Sequence, residues 1–293
     1  MICMMNFEML RPKTLEEALR MLTNNEGSSV PKSGGTDLLV WMKKRTIHPE
    51  VLVDLSRIKE LHQLEITRDG NLSIGTNVTL NEIDTFLREQ EILSALSDAC
   101  ESHSDYTLRN KATLVGNVCA SVPSGDMIPA LCCHDAIVEI VSEEETRQTP
   151  VLEFIIGPKK NVLNPNEIVS RVLVPLPEVT STGCYLKSTR RSALDLAQAS
   201  VACVILCENG VTEYRISCGA VSPRPLRVTE AEKLLRGKST LSSSLIEHAA
   251  ELAVEAVNPI TDVRSSREYR LEMIRELTKR SLILCQERFK EVA

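Results

Sequence analysis

The dipeptide Asn209-Gly210 is the strongest local constraint on the fold of this chain. It stands between two runs, 199–207 and 211–218, that read as strands. Asparagine followed by glycine accepts the positive φ angles of a two-residue turn, so this pattern predicts an antiparallel β-hairpin. Asp69-Gly70 predicts a second hairpin between residues 64–66 and 72–74. Antiparallel sheet is therefore expected in both halves of the chain.

Helices are expected between and after these strands. Three Thr-x-x-Glu sequences, beginning at residues 14, 79 and 229, have the spacing of an N-terminal capping box. The second predicted helix is expected to continue over 92–100, and further helices are predicted at 38–42, 127–134, 245–257 and 267–290. Strands are predicted at 29–32, 51–55, 136–141 and 168–174, and residues 113–118 also have the composition of a short β-rich run.

The length and composition are typical of two globular domains. The chain has 293 residues, of which 43% are hydrophobic and 25% charged, enough to bury a sizeable core. Pro175 and Pro177 follow the predicted strand at 168–174 and interrupt regular structure. We therefore predict one domain over residues 1–177 and a second over 178–293.

Charge and hydropathy exclude two classes of partner. A net charge of −6 argues against nucleic acid, because phosphate binding requires a clustered positive surface. The longest apolar runs, such as 199–207, are far shorter than the ~20 residues of a membrane helix, so no membrane partner is expected. Residues 1–6 lack the charged and apolar parts of a signal peptide, which favours a cytoplasmic location.

Common catalytic and metal-binding motifs are absent from the sequence. Its 10 cysteines include no C-x-x-C pair, so neither an iron–sulfur cluster nor a zinc site is expected on this chain. No G-x-G-x-x-G, G-x-S-x-G or H-E-x-x-H sequence occurs. Residues 236–240 resemble the end of a phosphate-binding P-loop, but Glu232 stands where its first glycine belongs. A helix C-terminus followed by a polar turn is the better interpretation.

Two loops rich in small residues remain, at 33–38 and 115–126. Each precedes a predicted helix, and glycine allows a backbone to approach a ligand closely. Composition alone does not decide between a phosphate-binding cradle and a tight turn between packed elements. Two such loops could also hold one diphosphate from both sides.

Several separated motifs then occur in the order found in one known family, and the similarity covers nearly the whole chain. The sequence resembles the FAD-binding medium subunit of molybdenum hydroxylases, the group of xanthine dehydrogenase and aerobic carbon monoxide dehydrogenase. The motifs are FEMLRPKT from residue 7, SGGTDLL from 33 with Met42-Lys43, LVDLSRI from 52, LRNKATLVGN from 108, PSGD from 123 with Pro129-Ala130-Leu131, Lys187 with Arg190-Arg191 and Asp195, and Asp262-Val263-Arg264 with Tyr269-Arg270.

The resemblance implies an α+β fold. It comprises a two-subdomain FAD-binding domain of the PCMH or vanillyl-alcohol-oxidase-like type, split near residue 57, and a smaller α+β C-terminal domain of sheet plus helices. The first loop would surround the FAD diphosphate with backbone amides, and the second would hold the diphosphate and adenosine side. Asp126 would accept hydrogen bonds from ribose hydroxyls, and Lys187 would lie near the isoalloxazine. The implied cofactor-binding residues are Lys32, Ser33, Gly34, Gly35, Thr36, Asp37, Leu38, Thr113, Gly116, Asn117, Asp126 and Lys187.

The sequence also departs from the family pattern. Val115 replaces the first of two glycines before Asn117, Ala120 stands where many relatives have a hydroxyl or amide side chain, and Lys32 replaces a small apolar residue. His103 aligns only loosely with a flavin-side position, so we interpret it as an ordinary loop histidine.

The function implied by the resemblance is electron transfer within an oxidoreductase of several subunits. FAD would receive electrons from iron–sulfur clusters on a small subunit, which in turn receives them from a large molybdopterin subunit, and would pass them to NAD or another acceptor. Two alternatives stay open from the sequence. One is a free-standing flavin oxidase, and the other is a non-catalytic assembly module that has lost FAD.

Overall fold

The computed structural model describes residues 6–191 and 194–292. Its strands are β1 Glu8–Leu10, β2 Ser29–Lys32, β3 Val51–Asp54, β4 Leu64–Ile66, β5 Asn71–Gly75, β6 Ile137–Val141, β7 Thr146–Pro150, β8 Ile155–Gly157, β9 Lys160–Asn161, β10 Ile168–Pro175, β11 Thr180–Ser188, β12 Ala199–Glu208, β13 Val211–Gly219 and β14 Leu226–Arg227. Its α-helices are α1 Leu15–Asn24, α2 Leu38–Lys43, α3 Leu80–Glu89, α4 Ser94–Ser102, α5 Tyr106–Arg109, α6 Leu114–Ala120, α7 Met127–Cys133, α8 Val151–Phe154, α9 Thr229–Leu235, α10 Ser243–Ala256 and α11 Arg267–Val292.

A small parallel sheet in the order β1-β3-β2 forms the N-terminal part of the chain. Helix α1 covers this sheet with Ala18, Leu19 and Leu22, which are buried together with residues of β3. The predicted capping box is only half formed: the Thr14 hydroxyl accepts a hydrogen bond from the backbone N–H of Glu17. The Glu17 carboxylate accepts from the N–H of Lys13.

A five-stranded antiparallel sheet, β4-β5-β10-β6-β7, follows the parallel one. The hairpin predicted at Asp69-Gly70 is confirmed, with Leu64 paired to Ile74 and Gly70 at φ +74°. The predicted capping box of α3 is also confirmed, because the side chains of Thr79 and Glu82 each accept from the other's backbone N–H. Helices α3, α4, α6 and α7 contribute to the core that covers this sheet.

A four-stranded antiparallel sheet, β11-β12-β13-β14, forms the C-terminal part with α9, α10 and α11. The Asn209-Gly210 hairpin is confirmed, with φ of 50° and 79° at its two turn residues and nine paired positions between β12 and β13. This sheet also packs on α4 and α7: Cys133 contacts Ala202, and the Ser94 hydroxyl accepts from the N–H of Gly183. Because of this packing, β11 passes close to the start of α7.

Three secondary-structure predictions were wrong. Residues 114–120 form helix α6, because the Thr113 hydroxyl caps the N–H of Gly116 and tertiary packing overrides the β-propensity of the valines. Residues 92–100 do not extend α3, since Leu93 adopts φ +49° and α4 begins anew at Ser94. Thr229 makes no side-chain cap of α9.

The third error has a specific cause. The Glu232 carboxylate that would complete the capping box instead accepts from the N–H of Ile216 at 2.9 Å. The same carboxylate forms two hydrogen bonds with the Arg227 guanidinium, at 2.8 and 2.9 Å. The side chain therefore ties α9 to β13 and β14, a tertiary contact that the local sequence does not reveal.

Among the residues described above, no helix is both long and apolar enough to cross a membrane. Within the same part of the chain, no three His, Cys, Asp or Glu side chains are grouped so that they could hold a metal ion.

Candidate cofactor site

The first glycine loop connects β2 to α2 and depends on two glycines. Gly35 has φ +76°, a left-handed conformation that side chains rarely adopt. A Cβ atom on Gly34 would overlap the carbonyl oxygen of Lys111 and lie 2.9 Å from its carbon. The loop therefore packs directly against the backbone that leads into the second loop. Only glycine permits this approach.

The backbone of this loop carries a row of unused donors. Within the described residues, the N–H groups of residues 33–38 donate no hydrogen bond to another protein group. The next N–H along the chain, that of Leu39 in α2, does find a backbone acceptor, the carbonyl of Gly35. A run of unpaired amides in a concave loop is the arrangement that binds anionic groups such as phosphates.

The second glycine segment is the turn before α6 together with the first half of that helix. Thr113 is the N-cap, and a Cβ on Gly116 would lie 2.8 Å from the Thr113 hydroxyl. Asn117 is buried, and its side-chain oxygen lies 3.3 Å from the N–H of Met127. The Val115 side chain is also buried in the core. The valine that replaces a family glycine here therefore does not project from the surface of the loop.

The two segments face each other across one cavity. Most of the residues that the sequence singled out line it: Lys32, Ser33, Gly34, Gly35, Thr36, Asp37, Leu38, Thr113, Gly116 and Asn117. The cavity is also lined by residues that the sequence analysis did not select: Trp41, His103, Cys119, Asn161 and Leu163. Ala120 lies in the wall as well, and as an alanine it offers no hydrogen bond there.

Asp126 and Lys187 are brought together, but they lie behind the cavity wall. Asp126 is 2% exposed, and both of its carboxylate oxygens lie 3.2 Å from the Lys187 ammonium. The Tyr185 hydroxyl donates to the same carboxylate at 2.8 Å, and His103 Nδ1 lies 2.8 Å from it. The contact between Asp126 and a ribose stays a prediction; in this structure its carboxylate oxygens accept from these three side chains.

His103, which we interpreted from the sequence as a loop histidine, does lie in the loop after α4. Its imidazole lines the cavity and links it to the buried Asp126. The Arg109 guanidinium donates to the backbone carbonyl of His103, which fixes the loop after α4. No local pattern marks this residue, since the partner of its side chain, Asp126, lies 23 positions away.

Two carboxylates in and beside the cavity have opposite pKa shifts. Burial alone would raise the pKa of Asp54, but hydrogen bonds from Lys32 and Ser56 and the charge of Lys32 lower it below its ordinary value. The pKa of Asp37 is raised, because burial outweighs the opposing charges of His103 and Lys159. The Lys32 ammonium forms an ion pair with Asp54 at 3.1 Å. The Asp37 carboxylate lines the cavity and forms no ion pair among the described residues.

The short β8–β9 hairpin borders the cavity opposite the loops. The Asn161 side chain donates to the backbone carbonyl of Cys119 at 2.9 Å, and the N–H of Lys159 donates to Ser121. The Lys159 ammonium lies 4.9 Å from the ring centroid of Trp41, the one tryptophan of the chain. This cation–π contact joins the hairpin to α2.

Comparison with known proteins identifies the family. Residues 5–177 match the family described as the FAD binding domain in molybdopterin dehydrogenase. The chain belongs to this family. Residues 184–284 also match the family described as the CO dehydrogenase flavoprotein C-terminal domain. Both matches agree with the resemblance seen in the sequence motifs. They confirm that FAD is the cofactor. They also confirm that the chain is a molybdenum hydroxylase subunit, and so part of an oxidoreductase.

Named relatives resemble the chain over nearly their whole length. The glyceraldehyde dehydrogenase medium chain of Sulfolobus acidocaldarius is 30% identical and covers 98% of each chain. The xanthine dehydrogenase FAD-binding subunit of Escherichia coli O157:H7 is also 30% identical, over 92% of each chain. The solved structure of carbon monoxide dehydrogenase from Hydrogenophaga pseudoflava superposes with a TM-score of 0.92 at 27% identity, covering 98% of this chain and 99% of the other. The α+β fold predicted for this family is thereby confirmed.

Proposed function

We propose that this family member binds FAD with its diphosphate between the two glycine segments. We further propose that it passes electrons from iron–sulfur clusters on a small partner subunit, through FAD, to NAD or another acceptor. The observation that carries the first part is the row of unpaired N–H groups at residues 33–38, which lines the same cavity as Thr113, Gly116 and Asn117. Flavin supplies the redox chemistry when bound, since it exchanges electrons singly or as a hydride.

The chain's own residues would hold the cofactor rather than transform it. The amides of the first loop would donate to the phosphates, and Gly34 and Gly35 give the loop the conformation that exposes them. Thr113 would fix the second segment through its bond to the N–H of Gly116. Lys187 would keep a positive charge close to the flavin end, held in place by its ion pair with Asp126.

Several further features are part of the same proposal. We place the partner chains as a small iron–sulfur subunit and a large molybdopterin subunit, and the complex in the cytoplasm. We place the domain border at residue 177, between 1–177 and 178–293, with a subdomain split near 57. Strands β10 and β11, on either side of the border, belong to different sheets, and the split at 57 separates the parallel sheet from the antiparallel one.

A substitution in the first loop tests the cradle. Thr36→Glu adds a carboxylate beside the unpaired amides, and we expect it to raise the Kd for FAD at least about tenfold, or about 1.4 kcal/mol. Thr240→Glu adds the same charge at an exposed position in the turn before α10, and should leave the Kd unchanged. Binding is measured by the quenching of flavin fluorescence on addition of the purified chain.

Three outcomes would contradict the proposal. Equal FAD affinity in both variants would show that the first loop does not hold the cofactor. No flavin absorbance and no FAD binding by the unmodified chain would indicate an assembly module. Oxidation of a substrate by the chain without partner subunits would indicate a free-standing flavin oxidase.

A further inference from the structure

The strongest unexplained feature of the cavity is the link from His103 to a buried cluster of polar side chains. His103 Nδ1 lies 2.8 Å from Asp126, whose carboxylate is 3% exposed and also binds Lys187 and Tyr185. Asp126 and Lys187 form a pair of opposite charges. The imidazole is the member of this cluster that lines the cavity.

This contact fixes the hydrogen-bonding state of the ring. An ionised carboxylate only accepts hydrogen bonds, so the proton of a neutral His103 must reside on Nδ1. Nε2 makes no hydrogen bond within the described part of the chain. It is therefore an acceptor when the imidazole is neutral, and it becomes a donor with positive charge when the imidazole gains a proton.

Among the residues that the structure describes, the cavity wall offers no lysine or arginine free to pair with an anionic ligand. The charged side chains in its wall are Lys32, which Asp54 neutralises at 3.1 Å, and Asp37, which is itself a carboxylate. A diphosphate would thus bind next to a negative charge, with backbone dipoles as its main support. His103 is the lining side chain whose charge depends on whether its imidazole binds a second proton.

We propose that His103 is a further cofactor-binding residue of this cavity, and that FAD binding is accompanied by uptake of one proton on its imidazole. The inference depends on the proposed function, because it requires FAD in this cavity. The bound phosphates and two carboxylates together stabilise the imidazolium. The affinity for FAD then rises as the pH falls, because proton uptake accompanies binding. The slope is at most about tenfold in Kd per pH unit for one linked proton.

The charges around His103 agree with this direction. Asp126 holds Nδ1, and Asp37 on the first loop is close enough that His103 lowers its pKa. The Arg109 guanidinium contacts only the backbone carbonyl of His103. The remaining titratable groups lie one contact away, with Lys187 and Tyr185 behind Asp126 and Lys159 beside Asp37.

Calorimetry of FAD binding to the full-length apo chain tests the proposal. Titrations at pH 7 in buffers with different ionisation enthalpies give the number of protons taken up per FAD bound. We expect net proton uptake for the unmodified chain and for His248→Gln, which changes an exposed histidine on α10 that does not line the cavity. His103→Gln keeps a neutral hydrogen-bonding side chain, and it should take up no proton and lose most of the change in Kd between pH 6 and 8.

The result that would overturn the proposal is proton uptake by His103→Gln equal to that of the unmodified chain. Uptake that is lost in Asp37→Asn but kept in His103→Gln would assign the proton to the carboxylate instead. His103→Phe preserves an aromatic ring and repeats the test if the glutamine variant is unstable. Failure of the unmodified chain to bind FAD would refute both the inference and the proposed function, whereas FAD binding without proton uptake refutes the inference alone.

Discussion

Gly34→Ala is the substitution with the sharpest expected effect on both stability and cofactor binding. The added Cβ would overlap the Lys111 carbonyl oxygen and lie 2.9 Å from its carbon, closer than side-chain carbons approach backbone in real proteins. Because both contacting atoms belong to the backbone, no side-chain rotation can relieve the overlap. The two glycine segments must therefore separate. Overpacking of this kind costs about 1–3 kcal/mol.

The same displacement affects binding, because Lys111 lies two residues before the Thr113 cap. We expect the Kd for FAD to rise by about 10- to 100-fold, as is typical when binding groups move by about an ångström. Urea unfolding followed by circular dichroism measures the stability, and flavin fluorescence measures the Kd. The urea m value should not change, since the fold is preserved.

The matched control is Gly157→Ala in the β8–β9 hairpin. Gly157 has no positive φ, and an added Cβ there would meet no atom within 4 Å. We expect a change in unfolding free energy within about 0.5 kcal/mol and an unchanged Kd. If Gly34→Ala unfolds at the same urea concentration as Gly157→Ala and binds FAD as tightly, the close packing of the two segments does not organise the site.

Three further predictions concern stability. Lys32→Met should lower the unfolding free energy by about 1–3 kcal/mol in urea titrations, because it leaves the buried carboxylate of Asp54 without its cation; an unchanged midpoint would contradict the role of this pair. Since the pKa of Asp54 is lowered in the folded state, its contribution is present above the unfolded value of about 3.9 and is lost as the pH falls through the folded value. Thermal melts from pH 6 to 2 should therefore show a smaller loss of Tm for Lys32→Met than for the unmodified chain. Glu232→Ala should lower the unfolding free energy by about 1–3 kcal/mol, because the N–H of Ile216 loses its acceptor. Thr229→Ala should change it by less than about 0.5 kcal/mol, since Thr229 does not cap α9. A larger loss for Thr229→Ala than for Glu232→Ala would show that the capping box does form.

The hairpins show what local sequence can determine. Asn209, Gly210 and Gly70 have the positive φ angles that these two turns require, and the geometry of each turn fixes which residues of the flanking strands pair. The glycine loop at 33–38 was also identifiable, since closely packed backbone leaves no space for side chains. The two hairpins depend on residues within a few positions of each other, and both were predicted correctly.

The electrostatics of the site depend on contacts between distant parts of the chain. His103, Asp126 and Lys187 come from the end of α4, the start of α7 and strand β11. They meet because β11 packs on α4 while the neighbouring strands β12 and β13 pack on α7. The sequence identified Asp126 and Lys187 through family resemblance, but it did not show that they pair with each other behind the cavity wall.

The sequence by itself determined the family and the two hairpins, because the order of its motifs identifies the first and short-range backbone geometry encodes the second. Only the tertiary structure decided that residues 114–120 are helical, that Glu232 binds β13 instead of capping α9, and that His103 lines the cavity. In each of these cases a side chain has a choice of partners. The free energy of burial and hydrogen bonding across the fold, rather than local propensity, selects among them.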